Sequence, residues 1–154
     1  WDYDVKEPGY NYRLDEIRSS LGLSQLKRLS QLNQKRKKIC EYYNSKLISI
    51  DGIIVPPPST KYENSYHLYI IRVKKRDNMS RDILFKKLLS IGIRTTVHYK
   101  PLHRFSAFKK HGKTHHDLTR SNRIFDEILS LPLYPEITKE QQDYVIECIK
   151  KICS

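Results

Sequence analysis

An apolar stripe at helical spacing runs through Leu14, Ile17, Leu21, Leu26, Leu29, Leu32, Ile39, Tyr43 and Leu47. Intervals of mostly three, four and seven residues place these side chains on one helical face. The stretch is long for a globular helix, so it reads as one long N-terminal helix or as two in line. Gly22 interrupts it at a cost of about 1 kcal/mol against alanine, and so marks a bend or a close approach. Asp51-Gly52 closes the segment with a turn. A chain that commits this much of its length to an amphipathic helix needs a further layer to receive the apolar face.

Strand signals supply that layer. Ile53-Ile54-Val55 is a short strand that Pro56-Pro57-Pro58 ends. Ser65 to Lys74 carries apolar or aromatic residues on both faces, which predicts a central strand. Ser80 caps a helix bearing Ile83, Leu84, Leu88 and Leu89, and Gly92 closes it where a left-handed residue is wanted. Ile93 to Tyr99 is rich in β-formers up to Pro101. Residues 103–116 lack periodicity and read as a mobile loop. Leu118 to Leu129 reads as a helix with Leu118, Phe125, Ile128 and Leu129 inward, and Leu131 to Pro135 as a short extended piece. Thr138 with Gln141 forms a capping box for a last helix that buries Val145, Cys148, Ile149 and Ile152. The expected fold is α+β, a small mixed or antiparallel sheet covered by helices.

Composition narrows the function. The 154 residues suit one core, and no apolar run approaches membrane-spanning length. The start, Trp1-Asp2-Tyr3-Asp4, carries neither an initiator Met nor a signal peptide, and reads as mid-chain in a longer protein. Three cysteines, Cys40, Cys148 and Cys153, all in helical segments, read as reduced thiols of a cytoplasmic protein. The net charge of +12 fits either a solvated basic surface or an anionic partner. Its densest run, Lys35-Arg36-Lys37-Lys38, falls inside the long helical segment and decorates an exposed side. A regulatory or nucleic-acid-binding module would account for the charge, yet nucleic acid is not the expected partner.

The chemistry-bearing residues are few. No nucleophile elbow, no Gly-x-Gly-x-x-Gly and no phosphate loop with Lys-Ser or Lys-Thr is present. Carboxylate pairs such as Asp15-Glu16 and Asp126-Glu127 sit on helix surfaces. His111, His115, His116 and Asp117 have the right ligand types for zinc or iron but no helical ligand spacing, so a polar loop is expected there, not a metal site. Two clusters are more telling. In Gly9-Tyr10-Asn11-Tyr12-Arg13-Leu14, Asn11 and Arg13 stand two apart on an extended stretch and can face one side. An amide donor beside a guanidinium fork suits phosphate. In Val97-His98-Tyr99-Lys100-Pro101-Leu102-His103, His98 can bond a phosphate or hydroxyl and Tyr99 can stack on a base. Taken singly, Tyr10, Tyr12 and Tyr99 are equally readable as half-buried packing residues.

The first cluster, with its continuation Ser20-Leu21-Gly22-Leu23-Ser24-Gln25-Leu26-Lys27-Arg28-Leu29, resembles the start of the C-terminal domain of DegT/StrS-type sugar aminotransferases. His67-Leu68-Tyr69, Gly92-Ile93 leading to His98-Tyr99-Lys100-Pro101-Leu102-His103, and Leu129-Ser130-Leu131-Pro132-Leu133-Tyr134-Pro135 resemble family segments in the same order. The resemblance implies a piece of a fold-type I, pyridoxal-phosphate-dependent homodimeric enzyme. That enzyme moves an amino group, from glutamate by expectation, onto a nucleotide-linked keto-sugar for amino-sugar and cell-surface polysaccharide biosynthesis. It implies residues 1–13 as a segment carrying the cofactor-phosphate motif and residues 14–154 as the small C-terminal domain. It implies that Asn11 binds the cofactor phosphate of the neighbouring subunit, and that Arg13, His98 and Tyr99 contact the nucleotide-sugar. The family's Schiff-base lysine belongs to an upstream domain, so no catalytic lysine is expected in this stretch. Relatives that carry histidine in place of that lysine are sugar dehydratases, and this stretch is compatible with either branch.

Overall fold

The computed structural model describes residues 2–58, 64–76, 78–113 and 117–154. The N-terminal apolar stripe is realised as two helices, α1 (Glu16–Leu26) and α2 (Leu29–Leu47). Asp15 caps α1 by accepting from the Arg18 amide. The break falls at Lys27-Arg28, with no side-chain cap on α2. Gly22 lies inside α1, and a Cβ there would meet nothing within 4 Å, so neither a bend nor close packing explains it. No residue of α1 is buried. The buried residues of α2 begin at Ile39 and continue through Cys40, Tyr43 and Leu47.

Three antiparallel strands follow the order β1-β2-β3, with β1 (Ile53–Ile54), β2 (Tyr69–Val73) and β3 (Ile128–Leu131). Ile53 pairs with Val73, and Tyr69, Ile71 and Arg72 pair with Leu131, Leu129 and Ile128. β2 is central, as its composition predicts. Its residues Tyr69, Ile71 and Val73 turn inward. They join one core with Tyr43 and Leu47 of α2, Leu84 and Leu88 of α3 (Arg81–Ser90), and Val145, Ile146 and Ile149 of α6 (Lys139–Cys153). Ser80 accepts from the Ile83 amide, and Gly92 follows α3 at φ +84°, the backbone state that glycine adopts without strain. The capping box of Thr138 and Gln141 is formed. Within α6 Val145 and Ile149 are buried, together with Gln142 and Ile146, whereas Cys148 and Ile152 are half-buried.

Three sequence expectations need correction. Residues 118–129 do not form one helix: α5 (Thr119–Glu127) ends where β3 begins. Ile128 and Leu129 pair with Arg72 and Ile71 of β2, and completing the sheet outweighs continuing the helix. Residues 93–99 form no strand: the bridge Thr96–Ser130 is the pairing they make among the described residues. Residues 102–111 are ordered as a 3-10 turn (Leu102–Arg104) and α4 (Ser106–His111) rather than a mobile loop.

The core predicts an alkaline limit to stability. Burial pushes the Cys40 thiol from its ordinary 9.0 up to about 12, and raises the Tyr43 and Tyr69 phenols. The native chain therefore keeps protons that the unfolded chain releases. Their stabilisation is complete below pH ~9 and falls as pH rises through the window above it. Urea midpoints measured from pH 7 to 11 are expected to decline above pH ~9, less steeply between ~9 and ~10 in Cys40→Ala. A flat midpoint across that range contradicts the assignment.

Candidate functional site

Two segments meet at one edge of the sheet. The first is the extended chain from Asp2 onward. Lys100 Nζ donates to the Tyr3 carbonyl at 2.8 Å and lies 3.5 Å from Asp2 Oδ1. The Asp4 carboxylate caps α4, accepting from the Ser106 amide at 2.9 Å and from its hydroxyl. Those two bonds, the hydroxyl's first, hold the Asp4 carboxyl below the usual carboxylate range. Ala107 N donates to the Val5 carbonyl at 2.8 Å, and the Tyr3 ring sits 5.5 Å from that of Phe105. Residues 2–5 are thus strapped to the segment that directly follows His98-Tyr99.

The second is the His98-Tyr99 turn. Thr96 bridges to Ser130 of β3, and both hydroxyls converge on the imidazole. His98 Nδ1 lies 2.9 Å from Ser130 Oγ and 3.1 Å from Thr96 Oγ1. A hydroxyl both donates and accepts, so either imidazole tautomer is held in place. The His98 and Tyr99 rings meet edge-on at 4.8 Å, across a cis peptide bond. Tyr99 is 61% exposed. His103 belongs to the same motif but turns away, bonding Asn122 of α5 at 2.9 Å.

Asn11 and Arg13 lie on the exposed arm between the strap and α1, flanked by Tyr10 and Tyr12, each 87% exposed. Within this chain neither Tyr10 nor Tyr12 is half-buried. No hydrogen bond or ion pair among the described residues joins Asn11 or Arg13 to His98 or Tyr99. The strap nonetheless limits their separation. Six residues beyond Val5, Asn11 stays within about 22 Å of that anchor. The structure thus tethers the two clusters and leaves Asn11 and Arg13 open to solvent. Of the proposed metal group, His111 and Asp117 are exposed, while His115 and His116 fall outside the described residues. No cluster of metal-binding side chains occurs among the described residues.

Sequence reasoning missed Asp4, Lys100 and Ser106 as strap residues and Thr96 and Ser130 as braces of His98. The strap contacts span about a hundred residues of sequence, and no local pattern encodes them.

This is an α+β domain that carries two polar clusters, one on an exposed arm and one at the His98-Tyr99 turn. The profile of the DegT/DnrJ/EryC1/StrS aminotransferase family matches residues 2–150, and the chain belongs to that family. It is 32% identical over 155 residues to the spore coat polysaccharide biosynthesis protein SpsC of Bacillus subtilis, covering 99% of this chain and 40% of SpsC. Spr1654 from Streptococcus pneumoniae, solved in PLP, PMP and apo forms, is 35% identical. In its PLP form it superposes with a TM-score of 0.77 over 99% of this chain and 39% of its own. Helicobacter pylori PseC, an aminotransferase involved in pseudoaminic acid biosynthesis, is 29% identical, with a TM-score of 0.81 over 97% of this chain and 40% of PseC. The chain spans 40% of the length of the curated relatives it matches. No helix among the described residues is long and apolar enough to cross a membrane.

Proposed function

We propose that the chain is the small, C-terminal domain of a pyridoxal-phosphate enzyme that transfers an amino group from glutamate to a nucleotide-linked keto-sugar. Residues 1–13 form its cofactor-phosphate segment and residues 14–154 the domain proper. The family match over residues 2–150 carries this reading, and the two exposed clusters support it. In a homodimer, Asn11 would donate its amide to the cofactor phosphate of the neighbouring subunit. Its exposed side chain, with no hydrogen bond to any described residue, has the chemistry such a contact needs. When bound, pyridoxal phosphate supplies the electron sink through which an amino group leaves one carbon and joins another. The chain's own residues bind and orient. Arg13 offers a planar fork to the substrate diphosphate. His98 is held by the Thr96 hydroxyl, within reach of both ring nitrogens, and by the Ser130 hydroxyl at Nδ1, so its ring is oriented at the turn. Tyr99 offers an open aromatic face.

The chain by itself is expected to bind nucleotide and not to transaminate. Titrated with UDP in a calorimeter, it should bind, and Arg13→Ala and His98→Ala should each weaken binding about tenfold, roughly 1.4 kcal/mol. Supplied with pyridoxal phosphate, glutamate and a nucleotide-linked keto-sugar acceptor, it should release no 2-oxoglutarate. Absence of UDP binding at millimolar concentration overturns the assignment of Arg13, His98 and Tyr99. Turnover by the chain alone overturns the placement of the catalytic lysine elsewhere.

A further inference from the structure

Among the described residues, one side chain carries a hydrogen bond or ion pair from the strap to the His98-Tyr99 turn, and it is that of Lys100. Its Nζ donates to the Tyr3 carbonyl at 2.8 Å and lies 3.5 Å from Asp2 Oδ1. The other strap contacts fall further along the chain, at Phe105, Ser106 and Ala107. The Lys100 side chain is 17% exposed, and its ammonium lies 5.3 Å from the centroid of the buried Phe105 ring, which Tyr3 also meets. A lysine that served only to pack would lay its stem on the apolar surface and leave its ammonium in water. Here the charged end itself is drawn onto the strap, where two acceptors take the place of hydration.

Tyr99 therefore stands between two residues held from different sides. His98 is bonded to Thr96 and Ser130, and so to the sheet. Lys100 is bonded to residues 2 and 3, and so to the chain that runs on into Asn11 and Arg13. The Tyr99 side chain makes no hydrogen bond to any described residue and meets His98 edge-on, so the backbone that its two neighbours fix decides where its ring points. We propose that Lys100 is a positioning residue, whose ammonium holds the Tyr99 turn and the arm carrying Asn11 and Arg13 in one arrangement, so that a nucleotide gripped by the arm meets the turn in register. The inference rests on the reading of Arg13, His98 and Tyr99 as nucleotide contacts, and it adds the group that makes the two clusters act together. Lys100 touches no ligand; it acts through the strap and through its peptide link to Tyr99.

Calorimetric titration with UDP and nitrogen relaxation of the backbone amides test this in Lys100→Met and Lys100→Arg. Methionine keeps most of the stem and supplies no donor, whereas arginine keeps a charged donor. In Lys100→Met the amides of residues 2–13 are expected to gain fast motion, the Tyr99 amide to shift, and UDP affinity to fall about fivefold. Lys100→Arg should return all three towards the unaltered chain. Ser106→Ala weakens the Asp4 end of the strap without touching the turn, so it should loosen residues 2–13 and leave the Tyr99 amide in place. A loosened strap with unchanged UDP affinity overturns the positioning role and leaves the nucleotide reading standing. Failure of the unaltered chain to bind UDP removes both. If residues 2–13 and Tyr99 are undisturbed in Lys100→Met, the tether is wrong whatever UDP does. A Tyr99 shift as large in Ser106→Ala, or a loss as large in Lys100→Arg, takes away the part given to the Lys100 cation.

Discussion

Arg81→Met is expected to destabilise the chain by about 3 kcal/mol, read as a lower urea midpoint at an unchanged slope. Arg81 is 3% exposed, on the first turn of α3. Its guanidinium donates to the carbonyls of Phe125 and Ile128, each at 3.2 Å. These carbonyls flank the point where α5 becomes β3 with no connecting residue. A helix end leaves its last carbonyls without helical partners, and inside a core they cannot turn to water. Methionine keeps much of the stem volume and supplies no donor. The ring of Phe125 also loses the Arg81 cation 5.5 Å from its centroid and keeps that of Arg104 at 4.8 Å. Arg81→Lys should recover only part of the loss, because Nη1 serves both carbonyls while Nε pairs with Asp82 at 2.5 Å, and a single ammonium cannot hold all three acceptors at once. A loss below about 1 kcal/mol in the methionine variant would show that water satisfies both carbonyls.

Tyr69→Ala is expected to cost about 4 kcal/mol, and Tyr69→Phe only about 1. Tyr69 opens the central strand, is 2% exposed, and stacks on Tyr43 with ring centroids 5.0 Å apart. Its hydroxyl donates to Asn44 Oδ1 at 2.7 Å. Alanine removes both the ring and its volume from a site walled by α2 and the sheet, and the surroundings cannot fully close the gap. Phenylalanine keeps the stack and loses only the hydroxyl bond. Similar losses in the two variants would mean that the hydrogen bond, not the packed ring, secures the strand to α2.

These sites also show what local sequence encodes. The capping box at Thr138 and the Ser80–Gly92 boundaries of α3 are local devices, and both were legible. The centrality of β2 was legible because apolar residues on both faces leave few other places for a strand. The α5–β3 switch was not. Leu118, Phe125, Ile128 and Leu129 keep helical spacing, and only pairing with β2 draws the last two into the sheet. α4 was missed for a related reason, since its N-terminal cap, Asp4, comes from 102 residues away. In the candidate site, the residue types of Asn11, Arg13, His98 and Tyr99 raised the expectation of phosphate and flat-ring contacts. The braces that hold His98 exist only once β3 is in place.

The exposed arm runs on from the strap at residues 2–5 into α1, and the chain is next anchored where α2 enters the core at Ile39. A chain segment pinned twice explores far fewer arrangements than a free tail. Part of the disorder that a ligand would otherwise have to remove on engaging Asn11 and Arg13 is therefore already gone. Folding the domain does in advance some of the immobilisation that association would otherwise impose.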